Sequence, residues 1–263
     1  MPALPINGTS VAFDEAGNGP DLLLIHAGVA DRRMWTDVLP AFAERFHVVA
    51  PDLRAYGDTP IPPEPFSWTA DIIGLLDALA VERTHVIGVS VGAKVAIDLA
   101  LARPERVERL VLVGAGINGW QFGPEMDAIG EAERSALEAG DPQAAAWEMV
   151  RAWLDGPQRG PDDVDPELRR RLYEMQLHAY AIDNEEAELS FLVDDHRAHF
   201  AEIRSPAFVL VGALDQGDMR AMAPVLAREI PGARLHELPG VAHLPPMEDP
   251  ATFARVATEF LAG

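Results

Sequence analysis

The stretch of the chain that most restricts its fold is residues 82–101, ERTHVIGVSVGAKVAIDLAL. It begins with a short apolar run rich in β-branched residues, which is typical of a buried strand. After Gly88-Val89-Ser90-Val91-Gly92, apolar residues recur at helical spacing. Strand, G-x-S-x-G and helix in this order form a nucleophile elbow, a tight turn that exposes a serine. The pattern also fits a glycine-rich turn without a catalytic role in any parallel α/β protein. Other parts of the sequence are needed to choose between a catalytic and a purely structural turn.

The residues of this elbow have a physical rationale. A serine on such a turn has a strained backbone conformation, and Gly88 and Gly92 lack the Cβ atoms that would collide where the chain folds back. The helix predicted to begin at Val91 directs its N-terminal amides and the positive end of its dipole toward Ser90. Negative charge that develops on a substrate oxygen would be stabilised there. The stretch therefore predicts Ser90 as a catalytic nucleophile.

The composition excludes several other kinds of protein. The 263 residues, 48% of them hydrophobic, are enough for one large α/β domain or a domain with an insertion. The absence of cysteine excludes disulfides, thiolate metal sites and a thiol nucleophile. A formal net charge of −21 argues against nucleic acids and anionic membranes as partners. The N-terminal residues lack the features of a secretory signal, and no apolar run could span a membrane, so we expect a cytoplasmic protein.

Strand and helix patterns alternate along most of the chain, as in parallel βαβ units. The strand patterns cover residues 9–14, 21–26, 47–52, 85–89, 107–116, 206–215 and 233–238. The helical patterns cover residues 35–46, 67–79, 91–102, 219–229 and 249–261. We predict an α/β fold with a doubly wound, mostly parallel sheet whose core comprises residues 1–117 and 200–263. Residues 118–199 show only helical patterns and are predicted to form a lid over the strand ends, where such sheets bind ligands.

Two further residues fit the chemistry of Ser90. Asp215 ends one predicted strand, and His243 follows the next in a loop rich in glycine and proline. His243 would take the proton of Ser90 and return it to the leaving group, while Asp215 would orient the imidazole. Asp218 is the alternative acid. The other histidines are interpreted as structural or as surface and lid residues, among them His85, His178, His196 and His199.

The chain resembles the α/β-hydrolase superfamily from about residue 8 to residue 261, and most closely its lidded carboxylesterases, 3-oxoadipate enol-lactonases and cofactor-free haloperoxidases. The motifs that carry the resemblance are His26-Ala27-Gly28, Asp52-Leu53-Arg54-Ala55-Tyr56-Gly57, Gly88 to Gly92, Gly212 to Asp215, and Ala242-His243-Leu244 with Glu248-Asp249-Pro250. The resemblance implies the order serine, acid, histidine for the triad. It also implies an oxyanion hole from the backbone N–H groups of Gly28 and Val91, with no metal and no organic cofactor.

At three positions the chain departs from the family pattern. Ala27, Ala55 and Ala242 stand where the family usually has glycine. Each adds a Cβ at a tight turn, which costs about 1 kcal/mol if φ is positive there. The preceding His26 is interpreted as structural, packed under the oxyanion loop.

The predicted lid is rich in large apolar residues. Trp120, Trp147 and Trp153 are candidates for the substrate pocket, although packing between lid helices is the more common role of such residues. Arg32, Arg33 and Arg151 could face a substrate carboxylate or simply be solvated. A free carboxylate on the substrate fits poorly with the acidic residues of the lid. These are Asp162, Asp163, Asp165, Glu185, Glu186, Glu188, Asp194 and Asp195.

The function predicted from the sequence is hydrolysis of a small, neutral carboxylic ester or lactone through an acyl-enzyme intermediate. The same triad could instead hydrolyse a carbon–carbon bond or use peroxide in place of water. A third possibility is a ligand-binding sensor with little turnover. The resemblance excludes haloalkane dehalogenase and epoxide hydrolase chemistry, which uses aspartate at the position of Ser90. The oligomeric state cannot be inferred from the sequence.

Overall fold

The computed structural model describes residues 2–62, 64–182 and 187–263. The strands in this part of the chain are β1 (Ala3–Ile6), β2 (Thr9–Ala16), β3 (Asp21–Ile25), β4 (His47–Pro51), β5 (Thr84–Val89), β6 (Val107–Val113), β7 (Ala207–Gly212) and β8 (Arg234–Leu238). They form one sheet in the order β1-β2-β4-β3-β5-β6-β7-β8. β1 pairs antiparallel with β2, and β2 pairs antiparallel with β4. The six strands β3 to β8 are parallel to one another. The predicted fold class is confirmed.

Helices connect the strands and cover both faces of the sheet. The α-helices of the described residues are α1 (Leu39–Ala43), α2 (Trp68–Ala78), α3 (Val91–Ala102), α4 (Pro124–Glu138), α5 (Pro142–Val150), α6 (Pro166–Tyr180), α7 (Gly217–Glu229), α8 (Pro245–Glu248) and α9 (Pro250–Ala262). β3, β5 and β6 consist almost entirely of buried residues, as expected for parallel strands covered on both faces. Apolar burial on the two faces forms two core clusters.

The strand order places a topological switch point beside Ser90. From β3 the chain crosses to β4 on one side, and it then returns to place β5 on the other side of β3. The chain therefore leaves the carboxyl ends of β3 and β5 in opposite directions. Open α/β sheets form a crevice for ligands at such a point. Gly28 lies in the loop after β3, and Ser90 directly follows β5.

The secondary structure differs from the sequence-based prediction in two places. A single helix over residues 35–46 was expected, but a 3₁₀ turn (Arg32–Trp35) and the short helix α1 are present. Pro40 lies in the first turn of α1, because a proline inside a longer helix would remove a hydrogen bond and clash with the preceding turn. The edge strand β1 was not predicted, since it has only four residues and includes Pro5.

The segment between β6 and β7 contains α4, α5 and α6 and, among its described residues, no strand. One isolated bridge joins Leu189 to Phe66 in the loop before α2. Of the acidic lid residues named above, Glu185 and Glu186 lie outside the described residues, and the others are exposed to solvent. The division of the chain into a core and a lid of residues 118–199 stays a prediction.

Candidate active site

Ser90 occupies a strained turn between β5 and α3. Its backbone dihedrals are φ 56° and ψ −112°, an arrangement that costs about 1–3 kcal/mol for a residue other than glycine. A Cβ at Gly88 would lie 2.3 Å from the carbonyl oxygen of Gly92, and a Cβ at Gly92 would lie 2.2 Å from that of Ile25. Both positions are therefore restricted to glycine by the packing of the turn. The strain expected from the G-x-S-x-G pattern is present.

Asp215 and His243 form a buried pair at the ends of neighbouring strands. Asp215 follows β7, and His243 lies in the loop between β8 and α8. The imidazole Nδ1 is 2.9 Å from Oδ2 and 3.1 Å from Oδ1 of Asp215. Both side chains are about 1% exposed. The imidazole Nε2 is also buried and has no hydrogen-bond partner among the described residues.

The turn after β6 connects this pair to the serine. The backbone N–H of Ser90 donates to the carbonyl of Val113, 2.8 Å away. The next residue, Gly114, has φ +50°, and a Cβ there would lie 2.9 Å from both Cε1 and Nδ1 of His243. One turn therefore contacts the serine backbone on one side and the imidazole on the other. The sequence analysis did not single out Gly114, although a glycine directly after a parallel strand is a signal of close backbone approach.

The backbone groups predicted to form an oxyanion hole face the same space. Gly28 and Val91 both line the cavity above Ser90. Their N–H groups donate to no acceptor among the residues that the structure describes. A Cβ at Gly28 would lie 2.9 Å from Cγ2 of Val91, so the two loops are in close contact. This arrangement leaves two unpaired donors next to the serine.

His26 holds the loop that carries Gly28. Its Nε2 accepts a hydrogen bond from the N–H of Leu53 at 2.9 Å, so Nδ1 carries the proton and donates to the carbonyl of Ala27 at 2.8 Å. Burial lowers the pKa of His26, which keeps the ring neutral. His26 therefore joins the loops after β3 and β4, which agrees with the structural role inferred from the sequence.

A cavity of about 360 Å³ lies between these loops and helices α4, α5 and α6. Its lining residues are Gly28, Val29, Ala55, Tyr56, Ser90, Val91, Glu133, Met149, Trp153, Gln176, Ala179 and Tyr180. Trp153 is the one predicted pocket tryptophan among them, and its ring centroid is 4.4 Å from that of His243. The cavity thus joins the predicted nucleophile and oxyanion groups to a mixed aromatic and polar wall.

Trp120 and Trp147, also predicted for the pocket, are not among the lining residues. Trp120 Nε1 donates to Oδ1 of Asp218 at 3.0 Å. Trp147 stacks on Tyr173 with ring centroids 4.5 Å apart and lies under the guanidinium of Arg169. Both rings are therefore used in packing within the helical segment and against α7, the role that the sequence analysis gave as the more common one.

Other residues singled out from the sequence have partners of their own. Asp218, the alternative acid, accepts from Trp120 and from the N–H of Gly123, 3.0 Å away. His196, interpreted from the sequence as a surface or lid residue, is buried and lies 3.1 Å from Asp98. Asp98 also accepts from two backbone N–H groups of the segment before β7, so a buried acceptor there favours a buried histidine.

The three candidate arginines do not line the cavity. Arg32 is buried rather than solvated, because Asp14, Asp52 and Asp58 surround its guanidinium. Arg33 pairs with Asp31, and Arg151 pairs with Glu148 at the surface.

Of the three alanines at family glycine positions, only Ala55 has a positive φ, 76°. Ala27 and Ala242 have ordinary negative φ and carry no such strain. The oxyanion loop after β3 therefore accommodates Ala27 without a backbone penalty.

A parallel sheet with a strained serine at its switch point, and an acid–imidazole pair at the adjacent strand ends, defines the α/β-hydrolase class. The family model described as the alpha/beta hydrolase family matches residues 22–256. The chain belongs to this family and is a hydrolase of the α/β-hydrolase type.

Named relatives match the chain over nearly its whole length. The pimeloyl-[acyl-carrier protein] methyl ester esterase of Aeromonas hydrophila subsp. hydrophila is 29% identical over 259 residues, which are 96% of this chain and 99% of that protein. The 2-hydroxymuconate semialdehyde hydrolase of Pseudomonas sp. (strain CF600) is 28% identical, covering 97% of this chain and 91% of that protein. The solved structure of the enol-lactonase from Burkholderia xenovorans LB400 has a TM-score of 0.83, with 25% identity and full coverage of both chains.

The described residues contain neither a metal-binding cluster nor a membrane-spanning helix. No cluster of histidine, aspartate and glutamate side chains there is arranged to hold a metal ion. None of the helices in that part of the chain combines the length and apolar character needed to cross a membrane.

Proposed function

We propose that the protein hydrolyses a small carboxylic ester or lactone through an acyl-enzyme intermediate, with Ser90, His243 and Asp215 as its catalytic triad. The observation that carries the proposal is the buried imidazole of His243. Asp215 occupies its Nδ1, the ring packs against Gly114 next to the carbonyl that accepts from the Ser90 N–H, and Nε2 has no partner among the described residues. Nδ1 is thus held by the carboxylate and Nε2 can accept a proton, which is what a general base requires.

The steps follow from this arrangement. Nε2 of His243 takes the hydroxyl proton of Ser90 as its Oγ attacks the ester carbonyl, and the negative oxygen is stabilised by the N–H groups of Gly28 and Val91. Collapse of this intermediate breaks the ester bond, and His243 returns the proton to the leaving alcohol. Water then attacks the acyl-enzyme with His243 as base, which releases the acid and restores Ser90. Asp215 fixes the tautomer and stabilises the imidazolium in each step.

The comparisons support ester and lactone substrates. The relative from Aeromonas hydrophila is named as a methyl ester esterase and the structure from Burkholderia xenovorans as an enol-lactonase. A substrate with a free carboxylate fits this chain poorly, because the cavity lining contains Glu133 and no arginine or lysine among the described residues.

Covalent labelling tests the nucleophile. A fluorophosphonate is expected to form a bond between Ser90 Oγ and phosphorus with loss of fluoride, and Ser90→Ala is expected to abolish labelling. The same variant should lower kcat on p-nitrophenyl butyrate by at least about 10⁴-fold. Ser135→Ala, which changes an exposed serine on α4, is the matched control and should label and turn over as the wild type does. Labelling of folded Ser90→Ala at the wild-type rate would refute the proposed nucleophile.

One alternative has specific support. The relative from Pseudomonas sp. is named as a 2-hydroxymuconate semialdehyde hydrolase, so carbon–carbon bond hydrolysis on the same triad is the second candidate. Turnover of such a semialdehyde with no turnover of any ester or lactone would favour it. Perhydrolysis would appear as faster acyl transfer when peroxide is added. Tight ligand binding with no turnover, unchanged in Ser90→Ala, would instead indicate a sensor.

A further inference from the structure

The cavity wall formed by the helical segment carries an unusual acid. Glu133 on α4 is the one charged side chain among the described residues that line the cavity, and none of these lining residues is a lysine or an arginine. Its carboxylate accepts a hydrogen bond from the hydroxyl of Tyr180 on α6. One hydrogen bond uses only one of the acceptor sites of a carboxylate. Glu133 therefore keeps lone pairs that can accept from a ligand.

A second hydrogen-bond acceptor lies in the lining of the same cavity. Gln176, one turn before Tyr180 on α6, lines the cavity and is 5% exposed. Its Oε1 is buried and has no hydrogen-bond partner among the described residues. A buried carbonyl oxygen without a donor carries a desolvation cost that a ligand N–H would relieve. The wall therefore offers two acceptors, the carboxylate of Glu133 and the Oε1 of Gln176.

The negative charge of Glu133 acts across the cavity. Burial raises the pKa of Tyr56 to about 12, and the charge of Glu133 contributes to this rise. Burial and the contact with Glu133 likewise raise the pKa of Tyr180. Tyr56 lies next to the predicted oxyanion loop, since its hydroxyl is 3.4 Å from the position a Gly28 Cβ would take. The charge of Glu133 therefore reaches Tyr56, which lies beside the predicted oxyanion loop.

Three aromatic rings are also part of the cavity lining. Tyr56, Trp153 and Tyr180 all line the cavity. Aromatic faces attract cations through their quadrupole, and the attraction is larger where the cation is removed from water. Aromatic rings together with a carboxylate that has no basic partner are the chemistry that binds an ammonium group.

We propose that the substrate carries a positively charged amine, which Glu133 and the rings of Tyr56, Trp153 and Tyr180 hold above Ser90. The inference rests on the proposed ester or lactone hydrolysis and names the substrate class of that site. The cation lies on a part of the substrate remote from the scissile carbonyl, because Gly28 and Val91 present donors, not acceptors, at that carbonyl.

Binding of simple ligands tests the charge preference without any turnover. Hexylammonium, hexanol and hexanoate share a chain length and differ in charge, and calorimetry with the wild-type protein measures their Kd. We expect hexylammonium to bind at least about tenfold more tightly than hexanol, and hexanoate to bind most weakly. Glu133→Gln keeps an oxygen for Tyr180 and removes the charge, so the preference should disappear.

A matched variant and a substrate pair complete the design. Glu138→Gln removes the same charge from an exposed position on α4 and should leave the preference intact. A p-nitrophenyl ester whose acyl chain ends in trimethylammonium should have about tenfold higher kcat/KM than its isostere ending in tert-butyl, and Glu133→Gln should remove the difference.

The outcomes separate the two proposals. Equal hydrolysis of both esters together with equal binding of hexylammonium and hexanol would overturn the ammonium inference and leave the ester hydrolase standing. A preference for hexylammonium that depends on Glu133, without hydrolysis of either ester, would overturn ester hydrolysis and support the ligand class. Loss of the preference in Glu138→Gln as well as Glu133→Gln would trace it to overall charge and overturn the site.

Discussion

The contact between Gly114 and the imidazole of His243 gives the sharpest test of the site. In Gly114→Ala the new Cβ would lie 2.9 Å from Cε1 and Nδ1 of His243, whereas ordinary contacts begin at 3.4 Å. The ring must therefore move by about 0.5 Å, and a displacement of about 1 Å in a catalytic group costs about 10²-fold in rate. We expect kcat on an activated ester to fall by about 10- to 100-fold.

The same substitution also affects stability, which a second variant can separate from catalysis. An alanine at φ +50° costs about 1–2 kcal/mol of folding free energy. Gly140 has a similar φ of +74° and no atom within 4 Å of its Cβ position. Gly140→Ala should therefore lose similar stability in urea unfolding and keep wild-type kcat. The reasoning is refuted if Gly114→Ala, with the stability loss of Gly140→Ala, retains wild-type kcat.

Two further predictions concern stability. Ala55→Gly should raise the free energy of unfolding by about 0.5–1 kcal/mol, because φ at Ala55 is 76°, and a lower melting temperature for this variant would contradict the assigned strain. Because burial lowers the pKa of His26, the unfolded chain binds more protons at this position between the folded pKa and about 6.5, so stability should fall as pH decreases below about 6.5. Urea unfolding on both sides of that pH should show a smaller decrease for His26→Gln than for the wild type, and an equal decrease in both would show that His26 does not contribute.

The fold was predictable from the sequence because its signals are local. Apolar runs mark β3, β5 and the second half of β6, and a Cβ at Gly88 or Gly92 would lie 2.2–2.3 Å from a carbonyl oxygen, that of Gly92 at the start of α3 or that of Ile25 in β3. The strand ends then bring Asp215 and His243 together, since the carboxyl ends of parallel strands share one edge.

The cavity wall was not predictable for the opposite reason. Which face of α4, α5 or α6 points inward depends on how these helices pack on one another, and a tryptophan fits an interhelical contact as well as a pocket. Trp147 and Trp153 are six residues apart, yet one stacks on Tyr173 and the other lies against His243. Glu133 gave no signal, because an acid in an acidic helix looks like a solvated residue.

The proposed catalytic loops are also tied to the helical segment through its backbone. Residues Arg151–Asp155 form a π-helical turn, a feature often found at functional sites. Within it the carbonyl of Trp153 accepts from the N–H of His243 at 3.3 Å, and that of Ala152 accepts from Gln216, the residue after Asp215. The loops of both the acid and the base therefore depend on this turn.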